Sequence, residues 1–171
     1  MKTQIETERK YIIKMPDFSL LAKAENYSAD DIIQIYLPSE SGSTHRIRKR
    51  TGEKSVVCTE TEKVRIDKTS SIEKEGEISE ERFELLSKNI LPGTNVINKT
   101  RHTFEYRGQV FEIDVYPEWK KTAIMEAEIP SADHRFDMPE FIKVIEEVTG
   151  QKEYSNASMS RAFPKEKDVY L

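Results

Sequence analysis

Glutamates at alternate positions recur in this chain, among them the pairs Glu6/Glu8, Glu73/Glu75 and Glu126/Glu128 on three separate stretches. Basic residues recur with the same spacing at Lys10, Arg46/Arg48 and Lys99/Arg101. In a β-strand, residues i and i+2 share one face about 6.6 Å apart. Like charges that close repel unless a counter-ion sits between them. On any one strand such a pair can mark a solvated sheet face. Repetition on three strands points to an ionic face that cannot become a dry core and must line water, either bulk solvent or a wet interior.

The rest of the composition narrows the setting. The 171 residues suit one domain, 1–171, with a core of its own. Hydrophobic residues make up 36%, mean hydropathy is -0.69, and no apolar run is long enough to span a bilayer, so no membrane partner is expected. With 27 Lys and Arg against 31 Asp and Glu, the balance of -4 gives no basic footprint for duplex nucleic acid. Cys58 is the only cysteine, which excludes an internal disulfide, and MKTQIETERK lacks the apolar segment of a secretory signal. The expected location is the cytoplasm.

Along the chain, residues 4–14 alternate with Glu6, Glu8 and Lys10 on one parity and Ile5, Tyr11 and Ile13 on the other. A short helix is expected after Pro16, then a strand over DIIQIYLP, then HRIRKR with Arg46, Arg48 and Arg50 in phase. SVVCTETEK places Thr59, Thr61 and Lys63 in phase, and SSIEKEGEI repeats the alternation before Ser79 caps a helix over 80–91. VINKTRHTFEY and VFEIDVY flank a hairpin turn at Arg107-Gly108-Gln109, and AIMEAEIP is a further strand. The spacing in MPEFIKVIEEVTG predicts an amphipathic helix stopped by Gly150, with a weaker helix over SNASMSRAF. About seven or eight short-connected strands give an α+β class with an antiparallel sheet. Closure into a barrel with helices covering the apolar parity satisfies both faces.

The donor set specifies the chemistry. Oxygen-only ligands select hard cations, Mg²⁺ or Mn²⁺, while Cys58, His45, His102 and His134 show no zinc-ligand spacing. Arginine forks beside lysines suit phosphate oxygens, so acids and bases together describe a polyphosphate site. There is no Walker loop, Gly-rich dinucleotide turn or Gly-x-Ser-x-Gly elbow.

The opening Glu6-Thr7-Glu8-Arg9-Lys10 resembles the ExExK signature of the CYTH superfamily, the triphosphate tunnel metalloenzymes. The likeness continues through HRIRKR, TEK, IEKEGEIS, NKTRHTFEYRGQVFEIDVY and MEAEIP, in order and over nearly the whole chain. It implies a closed antiparallel barrel of eight strands around a charged tunnel that binds a triphosphate-containing small molecule with a divalent metal. By position, Lys10, Arg46, Arg48, Lys63, Lys99 and Arg101 would hold phosphates. Glu6, Glu8, Glu73, Glu75, Asp114, Glu126 and Glu128 would hold metal or orient water, with Glu6, Glu8, Lys10, Glu126 and Glu128 as the catalytic set. Arg50 and Glu112 share the parity and would sit at the tunnel mouth. Ser71 stands where many relatives carry arginine, leaving Arg65 or Lys68 as substitutes, and the strand bearing Lys63 could shift by two residues without changing face. The activity implied is a triphosphatase acting on inorganic triphosphate, or on nucleoside or thiamine triphosphate. An adenylyl cyclase of the same superfamily, a polyphosphate-binding module without turnover and an RNA 5'-triphosphatase are the alternatives. Asn156 and Arg161 are candidates for one tunnel end.

Overall fold

A computed structural model describes residues 1–169. The strands are β1 (Lys2–Lys14), β2 (Glu25–Leu37), β3 (Ser43–Thr51), β4 (Val56–Arg65), β5 (Ser70–Ile78), β6 (Ile97–Tyr106), β7 (Gln109–Val115), β8 (Thr122–Glu128) and β9 (Val144–Glu147). The helices are α1 (Phe18–Leu21), α2 (Glu80–Ser87) and α3 (Asn156–Arg161). Each helix begins at a side-chain cap: Asp17, Ser79 and Ser155 accept from backbone N–H groups of the first turn.

Every strand pairing is antiparallel, in the order β5-β4-β3-β2-β6-β7-β8-β1, and β1 closes the ring by pairing with β5. Closure is staggered. Residues 2–7 of β1 pair with β5, and residues 8–14 pair with β8. The β6–β7 hairpin turns through Arg107 and Gly108, whose φ values of 48° and 79° are those of a type I′ turn and explain the glycine there.

The outward parity carries most of the core. Tyr11, Ile13, Phe104, Phe111, Ile113, Met125 and Ala127 are buried under Leu21 of α1 and the segment bearing Phe136, Phe141 and Ile142. Ile35, Leu37, Ile47 and Cys58 are buried under Phe83 of α2. Residues 138–150 do not form the helix that their spacing predicts. They run irregularly and then extended, and β9 pairs with Tyr11–Ile13. The reason is the staggered closure: β5 leaves β1 after Thr7, exposing donors and acceptors of a strand edge, and the β-branched Val144 and Ile145 suit a strand that satisfies them. Gly150 then turns with φ of 74° against Lys68, where a side chain would collide.

The inward parity changes character along the barrel. At one end it reads Ile12, Tyr36, Ile97, Tyr116 and Ile124, all buried with Trp119, Tyr154 and Met159. The last two belong to the segment around α3, so the tail that follows Gly150 stops this end with apolar side chains. Towards the other end the same parity is ionic. Among the described residues no helix is long and apolar enough to cross a membrane.

Candidate active site in the barrel interior

Strand parity delivers the ionic side chains to the interior, and strand order sorts them. β4, β3, β2 and β6 are consecutive and carry Lys63, Arg46, Arg48, Arg50, Lys99 and Arg101. β7, β8, β1 and β5 are also consecutive and carry Glu112, Asp114, Glu126, Glu128, Glu6, Glu8, Glu73 and Glu75. The interior thus has a basic wall facing an acidic one, with Lys10, and Lys2 at the mouth, as basic members of the acidic side. The six proposed phosphate ligands and seven proposed acids all fall on this inner parity.

Burial decides the state of each group. Lys99 Nζ and Arg101 Nη2 donate to Asp114 Oδ2, both at 2.8 Å, and Arg101 Nε donates to Oδ1 at 2.7 Å. Burial alone would raise the Asp114 carboxyl, but Arg101 and Lys99 outweigh it and hold it far below the ordinary carboxylate range. Burial lowers Lys99 to about 7 even with Asp114 beside it. Asp114 is thus already engaged by two basic side chains. Glu126 lies 3.3 Å from Lys10 Nζ and 3.8 Å from Arg101; against the effect of burial, these two hold it down at about 2. Lys63 lies 2.8 Å from Glu6 and 3.1 Å from Glu73, which fixes its register inside the barrel opposite Thr44 and Glu73. Arg46 is 3.6 Å from Glu73, and its buried Nε finds no hydrogen-bond partner among the described residues.

The less compensated carboxylates lie on β1, β5 and β8. Glu8 is pushed up to about 8 by burial and then by Glu126, with Lys10 only at 4.0 Å. Burial also raises Glu128 and Glu73, with Glu6 adding repulsion to both. Oxygen donors held together against their own repulsion fit a hard divalent cation. No three carboxylates already form a cage among the described residues, because Lys10 and Lys63 stand among them. Glu75 accepts from the Thr61 hydroxyl at 2.6 Å near the open end.

That open end is a cavity of about 620 Å³ bordered by Arg48, Arg50, Asp30, Thr59 and Glu75. Arg50 pairs with Asp30 at the rim, and Glu112 pairs with Arg101 at 2.8 Å. Ser71 is buried at the inner parity opposite Glu6 and Arg65, while Arg65 Nη1 donates to the Lys68 carbonyl at 3.3 Å, towards the β4–β5 turn. Asn156 accepts from the Tyr116 hydroxyl behind the apolar stopper, and Arg161 borders a separate small cavity. Sequence reasoning missed Gln34, which accepts twice from Arg48, and Tyr36 and Asp30 on the same strand. The available signal was a lone amide inside the apolar run DIIQIYL, in phase with Asp30 and Tyr36.

No protein-family model matches the chain, and comparison with curated proteins finds no match. Solved structures do match. The inorganic triphosphatase NE1496 is 27% identical over 94% of this chain and 97% of its own, with a TM-score of 0.59. PH1819 from Pyrococcus horikoshii OT3 is 23% identical over 75% of this chain and 80% of its own, with a TM-score of 0.55. HpAC1 from Hippeastrum, a candidate adenylyl cyclase with a dominant triphosphatase activity, is 14% identical over 72% of this chain and 80% of its own, with a TM-score of 0.52. At these lower identities the last two attest the barrel alone.

Proposed function

From the premise that the chain is a member of the CYTH superfamily, by its eight-stranded barrel, its ordered charged strands and its likeness to NE1496, we propose that it is a divalent-metal-dependent triphosphatase acting on inorganic triphosphate. The observation that carries this reading is the division of the interior into a basic and an acidic wall. A polyanion needs the first, and a phosphate-bound cation needs the second.

In this reading Arg46, Arg48, Lys63, Lys99 and Arg101 seat the phosphate oxygens along the basic wall, entering from the open end beside Arg48 and Arg50. Glu6, Glu8, Glu126 and Glu128 would hold the cation, with Glu73 and Glu75 flanking them; Mg²⁺ or Mn²⁺ there would supply charge neutralisation and a more acidic water. Lys10, between Glu8 and Glu126, keeps those carboxylates apart and contributes positive charge near the reacting phosphorus. Water attacks the terminal phosphorus in line with the bridging oxygen; as the new P–O bond forms, the phosphoanhydride P–O bond breaks, pyrophosphate departs as the leaving group, the attacked phosphorus becomes inorganic phosphate, and the water's proton passes to solvent. The residues position groups and stabilise charge, which is most of what phosphoryl transfer demands of a protein.

The test is a product panel with inorganic triphosphate, pyrophosphate, ATP and thiamine triphosphate, each with Mg²⁺, with Mn²⁺ and with chelator. Metal-dependent phosphate release, fastest from triphosphate and poor from pyrophosphate, is expected. Cyclic AMP from ATP would make the chain a cyclase, and binding without turnover would make it a polyphosphate-binding module.

A further inference from the structure

Five of the six bases assigned to phosphate have a carboxylate oxygen within 4.0 Å: Lys10, Arg46, Lys63, Lys99 and Arg101. Among the described residues, Arg48 has none. Its Nε and Nη2 both donate to Gln34 Oε1 at 3.1 Å, and Gln34 Nε2 donates to the Tyr36 hydroxyl at 2.8 Å. Gln34 is 0% exposed and lies directly across from Arg48 in the β2–β3 register. Burial and the neighbouring Arg46 and Arg101 lower the Arg48 guanidinium to about 10, which leaves it charged at neutral pH. Among the described residues Nη1 has no hydrogen-bond partner, and Arg48 borders the mouth cavity.

A neutral amide here has a consequence that a carboxylate would not. An arginine already paired with an acid must exchange that partner, or share it, when a phosphate arrives. An arginine held by an amide keeps its full charge for the anion, and the two hydrogen bonds hold its planar fork in one orientation. We infer that Gln34 is a positioning residue that holds Arg48 oriented and un-neutralised, so that among the six bases assigned to phosphate Arg48 alone offers an incoming triphosphate chain a charge that no carboxylate already shares. This rests on the triphosphate reading above.

The experiment is calorimetric titration of inorganic triphosphate into the full chain in chelator, where turnover is absent, for the wild type, Gln34→Glu and Gln34→Met, each with a thermal melt. Gln34→Glu keeps the acceptor and cancels the charge. It should melt no lower than the wild type yet bind triphosphate about tenfold or more weakly, the scale of a charge-assisted contact. Gln34→Met keeps the charge and frees the fork, and should also bind more weakly, by a smaller factor. A merely structural role would tie any loss of affinity to a loss of melting temperature. A Gln34→Glu protein that is as stable as the wild type and binds within about twofold of it overturns the inference, on the same scale. Should Gln34→Glu not fold, wild-type affinity in Gln34→Met overturns it. A wild-type protein that binds no triphosphate defeats the triphosphate reading, and the inference with it; binding by the wild type with unchanged variants defeats the inference alone.

Discussion

Glu8→Gln should stabilise the metal-free protein, increasingly so as pH rises. The Glu8 carboxyl has its pKa at about 8 in the fold against an ordinary 4.5, because burial and then Glu126 disfavour its charge. Below 4.5 both folded and unfolded chains hold the proton, and Glu8 imposes no penalty. Between 4.5 and 8 the unfolded chain releases a proton that the folded chain retains, so stability falls as pH rises, and the loss is complete above 8. At pH 7 the full penalty is about 1.4 kcal/mol per pH unit above 4.5, or roughly 3 kcal/mol. The side chain keeps 18% of its surface exposed, so solvent screening reduces this to about 1–3 kcal/mol. For a chain of this length that is roughly 2–10 °C in melting temperature. Glutamine copies the neutral acid at every pH. Thermal melts of both proteins in chelator at pH 5, 7 and 8.5 should therefore coincide at the low end and separate upwards. A Glu8→Gln protein that melts below the wild type at pH 8.5 would show that ionised Glu8 is a structural partner of Lys10, and the reasoning would fail. Added Mg²⁺ should raise the melting temperature of the wild type more than that of the variant, because only the wild type can offer a carboxylate there.

Asp114→Asn strips the shared counter-charge from buried Lys99 and Arg101, and should cost about 3–5 kcal/mol in denaturant unfolding whether or not ligand is present. Glu126→Gln should instead act mainly on turnover, lowering kcat more than it weakens substrate binding in phosphate-release kinetics. Arg48→Ala should weaken both binding and turnover of triphosphate, while Lys49→Ala and Lys74→Ala, at the outward parity, should leave kinetics nearly unchanged. Met159→Ala, which opens space in the apolar stopper, should lower stability by about 2–5 kcal/mol in thermal or denaturant melts.

What was legible in the sequence was charge at period two. Glu6, Arg46, Lys99 and Glu126 announce a strand face and an ionic interior because charge cannot be buried without company. Parity could not tell where that interior stops, since Ile12 and Ile124 continue the same face as apolar residues and only the tail around Met159 explains why. The spacing over 138–150 was a real helical pattern overridden by tertiary demand: β1 had an edge to satisfy after Thr7, and Val144–Glu147 satisfies it. Lys63 was placed on the correct face but fixed in register only by its cross-strand partners. Gln34 was hidden for the opposite reason to the glutamates. Its importance lies in lacking a charge beside Arg48, so its one mark in the sequence is a lone amide in the apolar run DIIQIYL and not a repeated charge.

The double engagement of β1 also sets the order in which the molecule can be made. β1 precedes its partners in the chain and finds them around residues 70–75 and 122–128, so the ring cannot close until residues 122–128 have been made. Pairings this distant in sequence make for slow folding, because the loop must be closed before its contacts compensate for the lost entropy. During that wait β1 is an open edge of the kind that recruits other chains. Glu6, Glu8 and Lys10 along one of its faces are charges that a mismatched sheet could not bury. The same side chains that give the finished interior its ionic lining therefore guard the unfinished barrel against pairing with its neighbours.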